Sequence, residues 1–453
     1  MSTPSSSDVR AGRLSAPLSP EACAAGFAAA ATPPLTASEA LLEAERCLYC
    51  FDAPCADACP TGIDIPSFIR RIAEGNERGA ARQILEANPL GGLCARVCPT
   101  EDLCEKVCVR NTQTGVPVAI GRLQRHATDA LMASSRPQLF TRAAPTGKRV
   151  AVLGAGPAGL ACAHTLARHG HEVTVFDARA KGGGLNEYGL ASYKVADDYA
   201  QRELKWLLDI GGITLQTGHA VTSAAELHAL KQGFDALFLG VGLASTHQLG
   251  VPGETLAGVQ DAVDFIATLR QAADKSTVRV GQRVVVIGGG MTAVDAAVQS
   301  KLLGAESVTL VYRRGQASMS ASKDEQDWAL KHGVVIQHWL APTELTGADG
   351  SVTGVRFARQ HISGGKLTPT GDTVDLPADL VLKAIGQTLG NAWLADTGLA
   401  LAEVRLATDD DGRTSLPGVW AGGDCRAGGL DLTVEAVEHG KRAALAIHQA
   451  LSA

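Results

Sequence analysis

Two segments of the chain repeat one pattern, and this repeat constrains the fold more than any other feature of the sequence. In KRVAVLGAGPAGLACAHTLARHGHEVTVFDA, an apolar strand leads into a turn containing Gly154, Gly156 and Gly159, then a helix, and then a second strand that ends at Asp177. The glycines let a pyrophosphate approach the helix N-terminus, and the acid can hold a ribose hydroxyl. The complete pattern predicts a Rossmann-like dinucleotide-binding fold rather than an ordinary Gly-rich turn.

The second copy is QRVVVIGGGMTAVDAAVQSKLLGAESVTLVYRR, in which Gly288, Gly290 and Ala293 form the turn. Its last strand ends at Tyr312 and is followed by Arg313–Arg314 instead of an acid. Because arginine suits the 2′-phosphate of NADPH, this copy favours a nicotinamide coenzyme that carries that phosphate. The alternative is that the arginine pair forms only a solvated rim.

Apolar runs between and after the two copies indicate how the domains are ordered. ALFLGVGL and LVLKAIGQ each have the composition of a buried strand ending in Gly, and VWAGGDC places Asp424 at a strand end before a helix. This order predicts an FAD-binding domain at residues 146–259 and 384–453, interrupted by an NAD(P)H-binding domain at 260–383. Asp424 would face the ribityl or phosphate part of the flavin, or alternatively would cap a helix.

Eight of the eleven cysteines fall in two groups. The groups are Cys47, Cys50, Cys55, Cys59 and Cys94, Cys98, Cys104, Cys108. Disulfide scaffolds spread their cysteines through short secreted chains, and structural zinc sites often add histidine, which the sequence lacks between the two groups. The spacing C-x2-C-x4-C-x3-C-P is instead typical of 4Fe-4S ferredoxin domains. Cysteine counting therefore predicts two clusters held by eight thiolates, in a helical domain at 41–145.

Composition excludes several classes of function. The net charge of −6, the scattered Lys and Arg residues and the aromatic content of 4% give no indication of a nucleic-acid or membrane partner. No apolar stretch approaches the roughly 18 residues of a spanning helix. Because Glu21 directly precedes the run ACAAGFAAAA, we interpret residues 1–40 as a flexible extension rather than a secretory signal, and expect a cytoplasmic protein.

Together these features resemble one family over almost the whole chain, the N-terminal electron-input half of dihydropyrimidine dehydrogenase, which is a separate subunit in many bacteria. The small subunit of glutamate synthase shares the three-part plan. In CPTEDLCEKVC, five residues separate Cys98 from Cys104, as in the dihydropyrimidine dehydrogenase type. The fold implied is an α-helical N-terminal iron–sulfur domain followed by two interleaved Rossmann-like α/β dinucleotide-binding domains, for FAD and NAD(P)H.

The resemblance also implies a ligand set for each cluster. PVAIGRLQ ends in Gln124, at the position where that family has a glutamine ligand. One cluster would be held by Cys47, Cys50, Cys55 and Cys108, and the other by Cys59, Cys98, Cys104 and Gln124. This set leaves Cys94 unligated, whereas cysteine counting includes it. The alternative for Gln124 is an ordinary amide on a helix surface.

The motifs and the resemblance imply the residues that contact FAD or NAD(P)H. These are Gly154, Gly156, Pro157, Ala158, Gly159, Asp177, Gly184, Leu185, Lys194, Gly288, Gly290, Met291, Thr292, Arg313, Arg314, Ala384, Ile385, Gly386, Asp424 and Thr433. Two positions depart from the family, since Lys194 stands where arginine is common and Ser320 where the mammalian type has an arginine for the 2′-phosphate. Bacterial relatives generally use NADH, so the choice between NADH and NADPH stays open.

The function implied is electron transfer, in which no side chain of this chain acts as a nucleophile or general acid. Hydride would pass from NAD(P)H to FAD, and single electrons through two clusters to an FMN-containing catalytic subunit that reduces uracil or thymine. The barrel of that subunit needs about 250 residues, which do not follow Ala453, so we expect a hetero-oligomer. The alternatives are a glutamate synthase small subunit, another NAD(P)H:ferredoxin-type flavoprotein, or a non-enzymatic redox sensor.

Overall fold

The computed structural model describes residues 13–390 and 392–452, so the first part of the predicted N-terminal extension lies outside the described residues. The chain divides into two units, which we name by their order in the sequence. The inserted unit contains Tyr188–Tyr193, Thr246–Gln387 and the described residues up to Ala31. The enclosing unit contains Thr32–Glu187, Lys194–Ser245 and the described residues from Thr388 onward.

In the described residues, helices occupy the N-terminal part, and a mixture of strands and helices follows from Arg149 onward. The α-helices are α1 (Pro20–Phe27), α2 (Ala37–Ala44), α3 (Pro54–Asp57), α4 (Ile65–Ala73), α5 (Glu77–Ala87), α6 (Gly91–Val97), α7 (Val109–Thr114), α8 (Ile120–Ala133), α9 (Pro157–Arg168), α10 (Leu185–Tyr188), α11 (Tyr199–Leu208), α12 (Ala224–Gly233), α13 (Ala262–Gln271), α14 (Met291–Leu302), α15 (Lys323–Lys331) and α16 (Thr433–Ser452). The strands are β1 (Arg149–Leu153), β2 (Glu172–Asp177), β3 (Ile213–Thr217), β4 (Ala236–Leu239), β5 (Ser245–Thr246), β6 (Val259–Asp261), β7 (Arg283–Ile287), β8 (Ser307–Tyr312), β9 (Val335–His338), β10 (Leu340–Ala348), β11 (Ser351–Ser363), β12 (Lys366–Pro377), β13 (Leu380–Lys383), β14 (Gln387–Thr388), β15 (Leu401–Ala402), β16 (Arg405–Leu406) and β17 (Val419–Ala421). None of the helices in this part of the chain is long and apolar enough to cross a membrane.

A parallel sheet in the order β17-β4-β1-β2-β3 forms the centre of the enclosing unit. Residues Val150–Leu153 of β1 and all of β4 are buried, as expected for parallel strands covered on both faces. The last strand, β17, returns from the C-terminal part of the sequence to pair with β4. The enclosing unit therefore combines segments from before and after the inserted unit.

Two helices of the enclosing unit approach their neighbours more closely than side chains allow. A Cβ atom on Gly159 in α9 would lie 1.9 Å from the carbonyl oxygen of Gly154, and one on Gly440 in α16 would lie 2.1 Å from that of Ala158. Glycine at these positions lets α9 approach the end of β1 and lets α16 cross α9. The glycine-rich turn, α9 and α16 are therefore held together at backbone-to-backbone distance.

Short amphipathic helices form the N-terminal part of the enclosing unit. Helix α2 begins with a capping box in which Thr36 and Glu39 each bind the other's backbone N–H. Helix α4 buries Phe68, Ile69 and Ile72, and packs against α5 and α8. Both cysteine groups lie in the loops and short helices that connect or flank these helices.

The inserted unit contains a second parallel sheet, in the order β6-β13-β7-β8-β9, together with an antiparallel sheet of β10, β11 and β12. The described residues up to Ala31 belong here and are not the flexible segment that the sequence predicted up to residue 40. Cys23 and Phe27 of α1 are buried in the core of this unit, and Ser15 hydrogen-bonds Val280. The prediction failed because the apolar face of α1 finds a partner more than 200 residues away.

Gly440→Ala should destabilise the protein, although alanine is intrinsically the better helix former by about 1 kcal/mol. The new methyl group would meet the carbonyl oxygen of Ala158 at 2.1 Å, and we expect overpacking to lower the free energy of unfolding by about 1–3 kcal/mol. Gly233→Ala is the matched control, because no atom lies within 4 Å of its added Cβ. Denaturant unfolding that shows equal stability for both variants would contradict the close crossing.

Candidate functional site

Four cysteines from the two groups line one open pocket. They are Cys47, Cys50, Cys55 and Cys108, which are the four residues that the family resemblance assigned to one cluster. Apolar side chains that include Ile65, Ile69 and Ile120 form much of the remaining wall. The structure therefore brings Cys108 from the second sequence group to three cysteines of the first.

Local backbone geometry and one arginine place these thiols. Tyr49 and Ala53 adopt left-handed conformations, with φ of 51° and 32°, and so turn the chain sharply between Cys47 and Cys55. The Nε of Arg110 donates to the carbonyl oxygen of Arg46 at 2.8 Å. This hydrogen bond ties the segment that follows Cys108 to the residue that precedes Cys47.

Burial favours the neutral form of two of these thiols, Cys47 and Cys55, in the chain alone. Burial raises the pKa of Cys47, and it raises the pKa of Cys55 to about 12, with the neighbouring Cys47 and Cys108 adding to the effect. Thiols become stable thiolates in such surroundings when they bind a metal cation. The donor set therefore fits a metal centre with soft sulfur ligands.

Cys59, Cys94, Cys98 and Cys104 form a second group of thiols. The pKa of Cys98 is raised first by its hydrogen bond with Cys94, in which the Cys98 thiol donates, and then by burial and by the nearby Cys94, Cys104 and Cys59. Burial raises the pKa of Cys104, with Glu105, Cys59 and Cys55 as further causes. Because Cys59 and Cys55 both contribute to the raised pKa of Cys104, the two groups of thiols lie close to each other.

Gln124 lies on α8 with its side chain buried against α6. Its Nε2 donates to the carbonyl oxygen of Gly91 at 2.7 Å, and no hydrogen bond to its Oε1 is found within residues 13–390 and 392–452. Gly91 begins α6, the helix that carries Cys94 and ends before Cys98. Both candidates for the fourth ligand, Cys94 and Gln124, thus belong to the surroundings of the second thiol group.

No three His, Cys, Asp or Glu side chains converge on a single-ion position in the described part of the chain. Cys47, Cys50, Cys55 and Cys108 instead lie around an open pocket. A polynuclear cluster is ligated through several different iron atoms, so its thiolates need not meet at one point. A cluster held by Cys47, Cys50, Cys55 and Cys108, as the family resemblance implies, would use this arrangement.

The predicted flavin residues gather around the N-terminus of α9. Gly156 precedes this helix, and Pro157 and Ala158 begin it. Gly184, at φ 56°, is so close that its Cβ would lie 2.7 Å from the Cα of Gly156. Asp177 uses both carboxylate oxygens to hold the turn, accepting from the N–H of Ala155 at 2.7 Å and of Arg179 at 2.8 Å.

The start of α16 and the segment containing Asp424 also lie near the N-terminus of α9. The hydroxyl of Thr433, at the start of α16, donates to Oδ1 of Asn186 at 3.0 Å, and Asn186 follows Gly184 and Leu185 in the chain. A Cβ on Gly423 would lie 2.9 Å from the Cβ of Ala158, so the adjacent Asp424 lies beside the first turn of α9. Burial and the nearby Asp431 raise the pKa of Asp424 to about 6. The resulting cradle of glycines and backbone N–H groups fits a dinucleotide pyrophosphate.

Leu185 and Lys194 are less closely tied to this cradle. Leu185 is the first residue of α10 and its side chain is exposed. Lys194 is half-buried and begins the second stretch of the enclosing unit. Their contact with FAD stays a prediction.

The predicted nicotinamide residues lie at the carboxyl ends of β7 and β13 in the inserted unit. Gly288 follows β7, and its Cβ would lie 2.2 Å from the carbonyl oxygen of Ala384. Gly290 precedes α14, which Met291 and Thr292 begin. This edge of a parallel sheet is the usual position of a dinucleotide site.

The domain bounds expected from the sequence place Ala384, Ile385 and Gly386 in the FAD-binding part. These residues belong to the inserted unit, which extends from Thr246 to Gln387. The physical reason is that β13 pairs with β6 and β7, so the turn after β13 meets Gly288. Whether the three residues contact NAD(P)H or FAD was not evident from an apolar strand that ends in Gly.

Arg313 and Arg314 follow β8, and both side chains are exposed. Neither guanidinium makes an ion pair or hydrogen bond with another side chain or backbone group in the described ranges. Ser320 lies near the glycine-rich turn, with its Oγ 3.1 Å from the position of a Cβ on Gly290. The arginine pair is therefore available to an anionic ligand beside this turn.

Glu203 is a buried acid that the sequence analysis missed. It lies on α11 and accepts hydrogen bonds from the N–H groups of Gly92, at 2.8 Å, and Leu93, at 3.3 Å. Burial raises the pKa of Glu203 to about 8, although Arg96 acts in the opposite direction. Glu203 thereby fixes the start of α6, the helix next to the second thiol group. A lone Glu in an amphipathic helix gave no signal of this contact.

Glu203→Gln should remove a pH dependence of stability. The folded-state pKa of about 8 lies above the ~4.3 of an exposed glutamate, so the folded chain keeps a proton that the unfolded chain releases. The resulting stabilisation is complete below ~4.3 and is lost as the pH rises to about 8. Denaturant unfolding should therefore show wild type losing stability relative to Glu203→Gln over this window. The exposed Glu306→Gln is the control, and a pH-independent difference for Glu203→Gln would refute the assignment.

Comparison with known proteins gives close relatives over nearly the whole chain. This chain is 35% identical over 420 residues to the NAD-dependent dihydropyrimidine dehydrogenase subunit PreT of Escherichia coli (strain K12). The matched region covers 93% of this chain and 96% of the relative. This chain is 34% identical over 434 residues to the glutamate synthase (NADPH) small chain of the same organism, with 91% of each chain covered. The predicted resemblance is thus confirmed.

The solved structure of Mycobacterium tuberculosis FprA in complex with NADPH is similar in fold, with a TM-score of 0.56 at 18% identity over 67% of this chain and 84% of that chain. Residues 25–136 match the family described as dihydropyrimidine dehydrogenase domain II, 4Fe-4S cluster, and residues 148–440 match pyridine nucleotide-disulphide oxidoreductases. The predicted fold class and the predicted cofactors, FAD, NAD(P)H and 4Fe-4S clusters, are confirmed. The chain belongs to the pyridine nucleotide-disulphide oxidoreductase family and is an NAD(P)H-dependent oxidoreductase with an N-terminal iron–sulfur domain.

Proposed function

We propose that this chain is the electron-input subunit of a two-subunit dihydropyrimidine dehydrogenase. It oxidises NAD(P)H and delivers the electrons to a separate, FMN-containing catalytic subunit that reduces uracil or thymine. The observation that carries the proposal is the cavity lined by Cys47, Cys50, Cys55 and Cys108, because it joins the two cysteine groups in the combination that the dihydropyrimidine dehydrogenase type uses.

The proposed ligand sets are those that the family resemblance implies. We assign one cluster to the cavity cysteines and the other to Cys59, Cys98, Cys104 and Gln124. Cys55 and Cys104 lie close enough for one to affect the pKa of the other, which supports a short distance for electron transfer between the two clusters. The gathering of four thiols in each group supports occupation by metal, because several soft sulfur ligands in one place suit iron–sulfur clusters.

The residues of this chain bind and orient the cofactors, and none needs to take part in covalent chemistry. Bound FAD would supply the hydride acceptor, and 4Fe-4S clusters would supply one-electron carriers. The N-terminus of α9 offers backbone N–H groups and a positive dipole end to a pyrophosphate. Asp177 keeps the turn before α9 in its tight conformation through two backbone hydrogen bonds.

A second candidate function is the small chain of a glutamate synthase. It is favoured by the identity of 34%, which is nearly that of the dihydropyrimidine dehydrogenase relative. The spacing of five residues between Cys98 and Cys104, together with Gln124 beside α6, favours the first candidate. Copurification with a pyrimidine-reducing or a glutamate-forming subunit separates the two.

We further propose that the protein works in the cytoplasm. All eleven cysteines are free thiols in the structure, as expected for a reducing compartment. NAD(P)H and the reduced clusters also require such surroundings. Export of the active chain to an oxidising compartment would contradict this assignment.

Cys104→Ser should lose one cluster, whereas Cys94→Ser should keep both. Cys104 lies beside Cys59 and Cys55, and it occupies a ligand position in the proposed set, while Cys94 does not. Iron and labile sulfide per chain, measured after anaerobic reconstitution, test the difference. Equal iron loss in the two variants would restore the set of eight thiolates and remove Gln124 from it.

The isolated chain should oxidise NAD(P)H with a tetrazolium dye but should not reduce uracil or thymine. Addition of an FMN-containing partner should restore pyrimidine reduction, and Cys47→Ser should abolish this coupled reaction while most dye reduction remains. Cys23→Ala is the matched control, because Cys23 belongs to neither thiol group and is buried in the core of the inserted unit. Uracil consumption by the single chain, or unchanged coupled turnover in Cys47→Ser, would contradict the two-subunit proposal.

A further inference from the structure

Trp339 has the most unusual backbone conformation in the inserted unit. Its φ is 63°, in the left-handed region that bulky residues rarely adopt, and it links β9 to β10. A glycine would make the same turn without strain. Strained residues persist where the surrounding structure holds them, and they concentrate at functional sites. The contacts of Trp339 therefore indicate which part of the structure requires this strained conformation.

Those contacts lead to the loop that carries the arginine pair. The backbone N–H of Trp339 donates to the carbonyl oxygen of Arg314 at 3.3 Å, and its own carbonyl accepts from the N–H of Gln360 at 2.7 Å. The indole ring lies against Gly315, where an added Cβ would be 2.6 Å from Cζ2. Trp339 thus holds Arg314 by its backbone N–H and the next residue, Gly315, by its ring.

The other end of this loop is fixed to the glycine-rich turn. The hydroxyl of Tyr312 donates to the carbonyl oxygen of Ser318 at 2.7 Å, and the N–H of Ala321 donates to the carbonyl oxygen of Gly289 at 3.0 Å. The ring of Tyr312 also occupies the space beside Gly289, 2.4 Å from the position of a Cβ. With both ends held, the loop 313–321 presents two exposed arginines beside the dinucleotide turn.

We propose that Trp339 is a positioning residue for coenzyme recognition, which holds the loop 313–321 so that Arg313 and Arg314 bind the 2′-phosphate of an adenine dinucleotide. The proposal deepens the proposed function at its NAD(P)H site. It needs no contact between the indole and the coenzyme. Its consequence is selective, because only a coenzyme with a 2′-phosphate loses binding when the loop is released.

The test measures binding of NADP⁺, NAD⁺ and 2′,5′-ADP to the FAD-loaded full-length chain by calorimetry. Trp339→Ala should weaken the binding of NADP⁺ and 2′,5′-ADP by about tenfold, which is the size expected for loss of one charge-assisted hydrogen bond. The affinity for NAD⁺ should change by no more than about twofold, as expected for a substitution that does not contact the ligand. In steady-state dye reduction, KM for NADPH should rise while kcat stays unchanged.

Two further variants separate the ring from the backbone strain. Trp339→Phe keeps an aromatic ring against Gly315 and should restore most of the NADP⁺ affinity. Trp339→Gly relieves the left-handed strain but removes the ring, so it should bind NADP⁺ as weakly as Trp339→Ala without a lower unfolding midpoint. Asp349→Gly is the control, because it relieves a φ of 50° in the turn between β10 and β11.

Equal weakening of NADP⁺ and NAD⁺ in Trp339→Ala would overturn the proposal, as would unchanged binding of both. Recovery of affinity in Trp339→Gly would also overturn it, since strain relief would then explain the effect. Arg313→Ala provides the benchmark: if it leaves the ratio of the two affinities unchanged, the loop does not bind the 2′-phosphate and the proposal fails. None of these outcomes involves the partner subunit, so they are distinct from failure of the proposed function.

Discussion

Burial of cysteine thiols in apolar surroundings is the constraint on which the N-terminal part of this protein depends. Burial raises the pKa of Cys47 and raises that of Cys55 to about 12, so these two thiols are neutral in the chain alone and become thiolates on binding a cation. Metal binding and correct packing of the helices α2 to α8 are therefore parts of one equilibrium. Loss of a single ligand should affect the surrounding structure as well as electron transfer.

The enclosing unit combines this thiol-rich part with the dinucleotide cradle. Glu203 on α11 binds the start of α6, and Lys441 on α16 donates to the carbonyl oxygens of Ala87 and Thr61. Thr61 in turn lies beside Cys59, with Oγ1 and Sγ 3.3 Å apart. Helices that begin or pack at the cradle are thus hydrogen-bonded to the segments that carry the second thiol group. Such direct connections within one unit suit an enzyme in which electrons leave the flavin through these cysteines.

The sequence alone predicted those features whose signal is local. The strand β1, the helix α9 and the acid Asp177 at the end of β2 follow from a glycine spacing that only a few backbone conformations satisfy. The interrupted domain order followed from the positions of apolar strands. Cys108 was assigned to the first cavity only through the family resemblance, because cysteine spacing contains no information about which groups meet.

Features that depend on distant contacts were missed. Helix α1 was interpreted as part of a flexible extension, because nothing near Cys23 and Phe27 in the sequence indicates the core that buries them. Glu203 and Trp339 were not singled out, since neither the N–H groups of α6 nor the loop after β8 is close to them along the chain. Their roles arise from tertiary packing, which a single sequence does not encode in a readable pattern.

Metal and flavin content of the anaerobically reconstituted chain tests the central claim most directly. If the two thiol groups each hold a 4Fe-4S cluster and the cradle around α9 holds FAD, the protein should contain about eight irons, about eight labile sulfides and about one FAD per chain. Electron paramagnetic resonance of the reduced sample should then show iron–sulfur signals. A chain that holds only about four irons, or zinc in their place, would contradict the account.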